Sequence, residues 1–174
     1  MTTMMLRTVE PGQATGTVAK VYAAFDRIGE VPQALQLLSA SPGLQERQFA
    51  MLGYYLSHPK LTPTLLAAVR YVAAQLSCHD SCVAFNGGLL ARMGMSAKEI
   101  EALGGGDGSA ALEEREADLL AFVRKALAAP EDVTASELEA LRRSGWGDAD
   151  VLDALAHGAN IIASSVLQKA FVRP

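Results

Sequence analysis

The segment Cys78-His79-Asp80-Ser81-Cys82 gathers two thiols, an imidazole and a carboxylate within five residues, and it holds the only two cysteines of the chain. A thiol at the start of a helix meets the positive end of the helix dipole. That end favours thiolate, the form that attacks peroxides and disulfides. His79 can exchange a hydrogen bond with a sulfur, and Asp80 can hold the imidazole or cap the helix. On a regular helix, cysteines with this spacing have Cβ atoms about 5–6 Å apart, whereas a disulfide needs about 3.5–4.5 Å. Closing a bond therefore requires Cys78 to stand off the helix, folded back over its first turn. The alternative is that Cys82 is a small core hydrophobe and Cys78 an incidental residue of the elbow. A zinc site from Cys78, Cys82 and His79 is set aside, because the spacing is atypical and only His58 and His157 remain as further imidazoles. No metal and no cofactor is expected.

The elements that must position this elbow read as helices throughout, so the expected fold is all-α with about eight or nine helices. Val18, Val21, Tyr22, Phe25 and Ile28 repeat at helical spacing and Gly29 closes the run. Val31-Pro32 opens a short helix ending near Ser39. Ser41-Pro42 opens a third helix, which His58-Pro59 terminates. Thr62-Pro63 repeats the start signal for an almost wholly apolar helix, Pro63 to Leu76, with a single charge at Arg70. Ser77 to Ser81 is a polar elbow, after which helix resumes from Cys82 to Met93 and Gly94 supplies a left-handed stop. Ser96 with Glu99 and Thr134 with Glu137 fit capping boxes, and Gly104 and Gly145 stop the helices they open. Ala110 to Ala129 carries early acids, read as solvated, and late bases. Asp148 caps a last helix, Ala149 to about Lys169, with an apolar face of Val151, Leu152, Leu155, Ile161, Ile162, Val166 and Leu167.

A chain of 174 residues, half of them hydrophobic, has the means to bury a core, which excludes disordered and fibrous classes. Its net charge of −4 provides no basic field for phosphates, so nucleic acid is not an expected partner. No apolar run reaches the length of a membrane span, and a cytoplasmic protein is expected. The organisation expected is one domain over residues 1–174, with a core motif at 42–95 and a second helical group at 110–174.

These residues resemble the alkylhydroperoxidase D-like (AhpD-like) and carboxymuconolactone decarboxylase superfamily, an all-helical group, over nearly the whole chain. The stretch Gly16-Thr-Val-Ala-Lys-Val-Tyr22, then Ile28-Gly-Glu-Val-Pro32 and Ser41-Pro42, looks like the leader of its peroxidase-related branch. Leu76-Ser-Cys-His-Asp-Ser-Cys82 looks like the family's thiol motif. Met95-Ser-Ala-Lys-Glu-Ile100, Val133-Thr134, Ser144-Gly-Trp146 and a last helix bearing Asn160 follow the family's order. The resemblance implies a thiol-dependent alkylhydroperoxidase in which Cys82 is the peroxide-attacking cysteine, assembled as a homo-oligomer (dimer, trimer or hexamer) and regenerated by a thiol reductant protein. In the family, a Cys pair two residues apart is joined by a His four positions after the second Cys and a Glu twelve before the first. Here the first thiol slot holds His79, with Cys78 displaced by one. Asn86 stands in the His position, and Ala67 or Leu66 in that of the Glu.

Neither an apolar residue nor an amide can carry a proton, so the family's relay is missing. The residues left to do the work are Cys82, Cys78, His79 and Asn86. His79 or Asp80 would activate Cys82, and Cys78 would resolve the resulting sulfenic acid as a disulfide. The second reading is a degenerate relative that binds a small molecule or partner without redox turnover. Acid/base chemistry of the decarboxylase kind is the weakest, for want of a placed carboxylate. His157, Asn160, Ser164 and Ser165 form a polar stripe in the last helix that either lines a pocket or meets its own copy, with His157 read as a half-buried, satisfied side chain. His58 reads as a helix-terminal residue, and Trp146 and the pair Tyr54-Tyr55 as core or interface aromatics. The Pro63–Leu76 and Ala149–Lys169 helices are too uniformly apolar for a surface, so self-association is expected to bury them.

Overall fold

The computed structural model describes residues 3–25, 29, 31–106 and 111–173. Among them are nine α-helices: α1 (Gly16–Ala23), α2 (Gln33–Leu38), α3 (Pro42–Leu56), α4 (Pro63–Leu76), α5 (Asp80–Arg92), α6 (Ala97–Gly105), α7 (Glu114–Ala128), α8 (Ala135–Arg143) and α9 (Asp148–Phe171). The all-α expectation holds. One feature was not expected: β1 (Thr3–Met4) pairs antiparallel with β2 (Val172–Arg173), Thr3 opposite Arg173, too short a pair to leave a period-two pattern in the sequence.

Two compact units form, one of Met1–Ser57 with Val166–Pro174, the other of His58–Ser165. In the first, α1 packs on α3 around buried Val18, Val21 and Tyr22, with Val9, Val31, Leu35 and Phe49 against them. The α1 run ends at Ala23 rather than at Gly29, and Phe25 is buried beyond the helix end. Ile28 lies outside the described residues.

In the second unit α4 is the central element, packed against α5, α6 and α7. Thr62 caps it, its hydroxyl accepting from the Leu65 amide at 3.1 Å, with Pro63 in the first turn. Leu65 to Val69 and Tyr71 to Ala74 are all buried inside the chain itself. The expectation that self-association buries α4 is therefore overturned, because helices of the same chain cover it. α9 does leave Leu152, Val166 and Leu167 exposed, so three residues of its expected apolar face meet solvent. Close packing of α9 depends on Gly158, where a Cβ would stand 2.7 Å from Leu127 Cδ1 and 3.3 Å from Val69 Cγ1.

Both capping boxes form as read, Ser96 with Glu99 and Thr134 with Glu137. Gly104 does not stop α6. It lies within the helix, and Gly106, at φ +93°, is the left-handed residue. α7 starts at Glu114 rather than Ala110, and Glu116 is not solvated: it is buried and accepts a 2.7 Å bond from Thr62 Oγ1, which joins the starts of α4 and α7. Asp148 pairs with Arg142 at 2.8 Å, and the Gly147 amide ahead of α9 donates to Asp150 instead. His58 works as a terminal residue, its Nδ1 accepting from the Lys60 and Leu61 amides in the turn before α4. Trp146 is buried, donating to the Arg115 carbonyl under the Arg115 guanidinium. Tyr55 is buried and Tyr54 exposed.

Replacing Gly158 by Val forces two methyl groups into the space held by Leu127 and Val69. The expected loss is about 1–3 kcal/mol, measured by urea denaturation.

Candidate functional site

The elbow joins two helices through only three residues, Ser77, Cys78 and His79. At the end of α4 the Cys78 amide donates to the Gln75 carbonyl at 3.0 Å and the His79 amide to the Ala74 carbonyl at 3.2 Å. This is the Schellman pattern, in which the residue just beyond the cap turns left-handed. The chain makes the same pattern at Gly94 (φ +100°) and Gly145 (φ +90°), where glycine takes that conformation without a Cβ penalty. At the elbow the left-handed residue is Cys78, at φ +49°, the one non-glycine with positive φ among the described residues. Cys78 is thereby lifted off both helices and exposed, as the spacing argument requires.

His79, the next residue, is the N-cap of α5. Its Nδ1 accepts from the Cys82 amide at 3.4 Å and faces Ser81 Oγ at 3.1 Å. α5 therefore starts at Asp80, two residues earlier than read from the sequence, and Cys82 lies in its first turn, partly exposed. Asp80 is exposed beside it. Neither cysteine is in a disulfide.

Asn86 is buried one turn on, and both ends of its carboxamide are used. Nδ2 donates to the Cys82 carbonyl at 2.8 Å, and Oδ1 accepts from Arg70 Nε at 3.0 Å. Arg70 Nη1 lies 3.2 Å from Nε2 of His157 on α9. Burial, then the Arg70 charge, lower the His157 pKa to about 3, against the pull of its bond to the Leu66 backbone. That ring is therefore neutral and receives the Arg70 proton. Burial likewise lowers the Arg70 pKa to about 10, which still leaves the guanidinium charged at neutral pH. No carboxylate among the described residues pairs with it.

Of the residues selected from sequence, His79 and Asn86 both bond to the main chain of Cys82, and Cys78 stands on the exposed side of the same turn. Two members of the polar stripe of α9 bond within the chain: His157 meets Arg70, and Ser165 meets Ser77 at 3.0 Å. Leu66 and Ala67, at the acid position of the family motif, are sealed in the core. Sequence reasoning did not assign Arg70 to the site. Its signal was visible as the single charge on α4, but its partners lie 16 and 87 residues away.

An open groove of about 450 Å³ lies alongside, lined by Gln75, Cys78, His79, Asp80, Gly104 and Arg124 among others. Gln75 packs so closely on α6 that a Cβ at Gly104 would collide with its carboxamide, and its buried Oε1 accepts no bond from the described residues. No group of three or more His, Cys, Asp or Glu among the described residues is placed to hold a metal, and no described helix is long and apolar enough to cross a membrane.

No family model and no curated protein matches the chain. Solved structures do. A peroxidase-related protein from Ralstonia eutropha JMP134, described as an alkylhydroperoxidase AhpD core, superposes with a TM-score of 0.79 at 20% identity, covering 97% of this chain and 90% of the other. The chain has the AhpD-like fold. A peroxidase-related protein from Silicibacter sp. TM1040 gives a TM-score of 0.77 at 18% identity over 88% of this chain and 81% of that one. A cysteine-to-alanine variant of the debrominase Bmp8, in complex with 2,3,4-tribromopyrrole, gives 0.73 at 14% identity over 97% and 89%. The resemblance read from the elbow and its flanking motifs is thus a likeness of AhpD-like architecture.

Two expectations follow from the site geometry. Cys78→Gly relieves the left-handed strain and raises stability by about 0.5–1 kcal/mol in urea denaturation. His157, neutral in the fold down to about pH 3, takes up a proton in the unfolded chain below its ordinary 6.5. The unfolded state then binds more protons across that window, so stability falls on acidification, by at most about 1.4 kcal/mol per pH unit. Urea titrations from about pH 7 to pH 4 check this: the slope is shallower in His157→Gln than in the unsubstituted protein.

Proposed function

We propose that this protein is a thiol-dependent hydroperoxidase in which Cys82 is the attacking sulfur and Cys78 the resolving one. The observation that carries this reading is the elbow itself. Cys82 sits in the first turn of α5, where the helix dipole favours thiolate, and the neighbouring thiol is held off both helices in an exposed, left-handed residue. Two neighbours of the same fold, described as peroxidase-related, support it.

The chemistry closes on these two sulfurs and an external thiol. The Cys82 thiolate attacks the peroxide oxygen, the O–O bond breaks, and the alkoxide leaves with a solvent proton as alcohol. The sulfur is left as sulfenic acid. The Cys78 thiolate then attacks the Cys82 sulfur, and hydroxide leaves as water with the proton shed by Cys78. Two equivalents of external thiol, or one dithiol of a reductant protein, restore both cysteines by exchange and leave as disulfide. His79 fixes the first turn of α5 through the Cys82 amide, and Asn86 holds the carbonyl of the same residue. Assembly into a homo-oligomer is part of this reading, supported by the exposed Leu152, Val166 and Leu167 of α9.

A second reading, binding of a small molecule without turnover, is favoured by the groove beside Cys78, where Gln75 Oε1 offers a buried acceptor. A halogenated pyrrole bound to a debrominase of this fold supports it.

The peroxidase reading predicts that Cys82→Ser abolishes hydroperoxide consumption with a dithiol reductant. Cys78→Ser instead accumulates a Cys82 sulfenic acid that dimedone traps, seen by mass spectrometry of the intact protein. Full turnover by Cys82→Ser overturns the peroxidase reading, and absence of hydroperoxide turnover in the unsubstituted protein, with a groove that still binds ligand, decides for the second.

A further inference from the structure

A guanidinium that is partly withdrawn from water and paired with no carboxylate is costly to the fold, because hydration is lost and no opposite charge replaces it. Arg70 is in that position. Its partners are a carboxamide oxygen and a neutral imidazole, on α5 and α9 respectively. Neither can be its counter-charge. Nor can the cluster act as a proton relay, since Asn86 does not titrate and the His157 ring nitrogen is already receiving the Arg70 proton.

What the cluster does touch is Cys82. One carboxamide links Arg70 Nε (3.0 Å) to the Cys82 carbonyl (2.8 Å), so the charge and the attacking residue are joined by two hydrogen bonds through a single rigid side chain. We propose that Arg70 is the positioning residue of the site: through Asn86 it fixes the first turns of α5, and its unneutralised charge holds the Cys82 thiol as thiolate. The activation that a proton relay supplies elsewhere is here supplied by a fixed positive charge, and the thiol proton goes to solvent. A fixed positive charge near a thiol favours its charged form and so lowers its pKa. The other titratable or charged groups around the first turns of α5 are Cys78, His79 at its cap, exposed Asp80, whose charge opposes Arg70, Arg124 of α7, which lines the same groove and acts in the same sense as Arg70, and neutral His157.

The inference rests on Cys82 being the reactive sulfur, but its test does not use peroxide. In a Cys78→Ser background, the rate of iodoacetamide alkylation of Cys82 is followed against pH, together with thiolate absorbance at about 240 nm. Arg70→Gln keeps a donor for Asn86 and removes the charge. Asn86→Asp keeps Arg70 and neutralises it with a carboxylate beside Cys82. Each variant is expected to raise the Cys82 pKa by about one unit or more and to slow alkylation at neutral pH by about tenfold. A Cys82 pKa within about 0.3 units of the parent in a folded variant overturns the proposal, and where Arg70→Gln does not fold, Asn86→Asp decides. Should hydroperoxide turnover be absent while the thiol pKa still follows the charge, the peroxidase reading fails and this inference stands.

Discussion

The second unit is organised by the need to surround α4. Its one charged side chain, Arg70, finds polar company on neighbouring helices: Asn86 of α5 and His157 of α9. The resulting chain of neutral partners fixes the orientation of each member. Asn86 must turn its oxygen to the guanidinium and its nitrogen to the Cys82 carbonyl, and His157 must hold its bare nitrogen toward Arg70. A buried polar cluster holds its members in fixed orientations through their mutual hydrogen bonds, so this one ties the register of α5 and α9 to that of α4.

The elbow shows how a backbone requirement and a chemical one coincide. Ending α4 in a Schellman turn three residues before α5 needs a left-handed residue, and the chain meets the same need with glycine at positions 94 and 145. Placing cysteine there strains the backbone, and it also leaves the Cys78 thiol exposed beside a partly exposed Cys82.

Much of this was legible in the sequence because local signals agree. Thr62-Pro63 and Ser41-Pro42 mark helix starts, two capping boxes mark two more, and the uniform apolar content of α4 announces its burial. Other features were illegible for physical reasons. A Schellman turn is read from its glycine, and Cys78 is not one. Glu116 looks like a dipole-matching surface acid until Thr62, 54 residues away, is folded against it. Apolar content alone cannot tell whether the surface covering a helix comes from the same chain or from a copy, and for α4 it is the same chain. Arg70, Asn86 and His157 belong to three helices with no shared period, so only tertiary structure brings them together. The family motif, had its acid and imidazole been kept, would have drawn attention to positions 66, 67 and 86, and only the last of these carries a polar group into the site.

The small antiparallel pair of β1 and β2 sets Thr3 directly opposite Arg173. Segments far apart in the sequence are thereby held in one two-residue ladder, so a substitution that loosens either strand releases its partner as well.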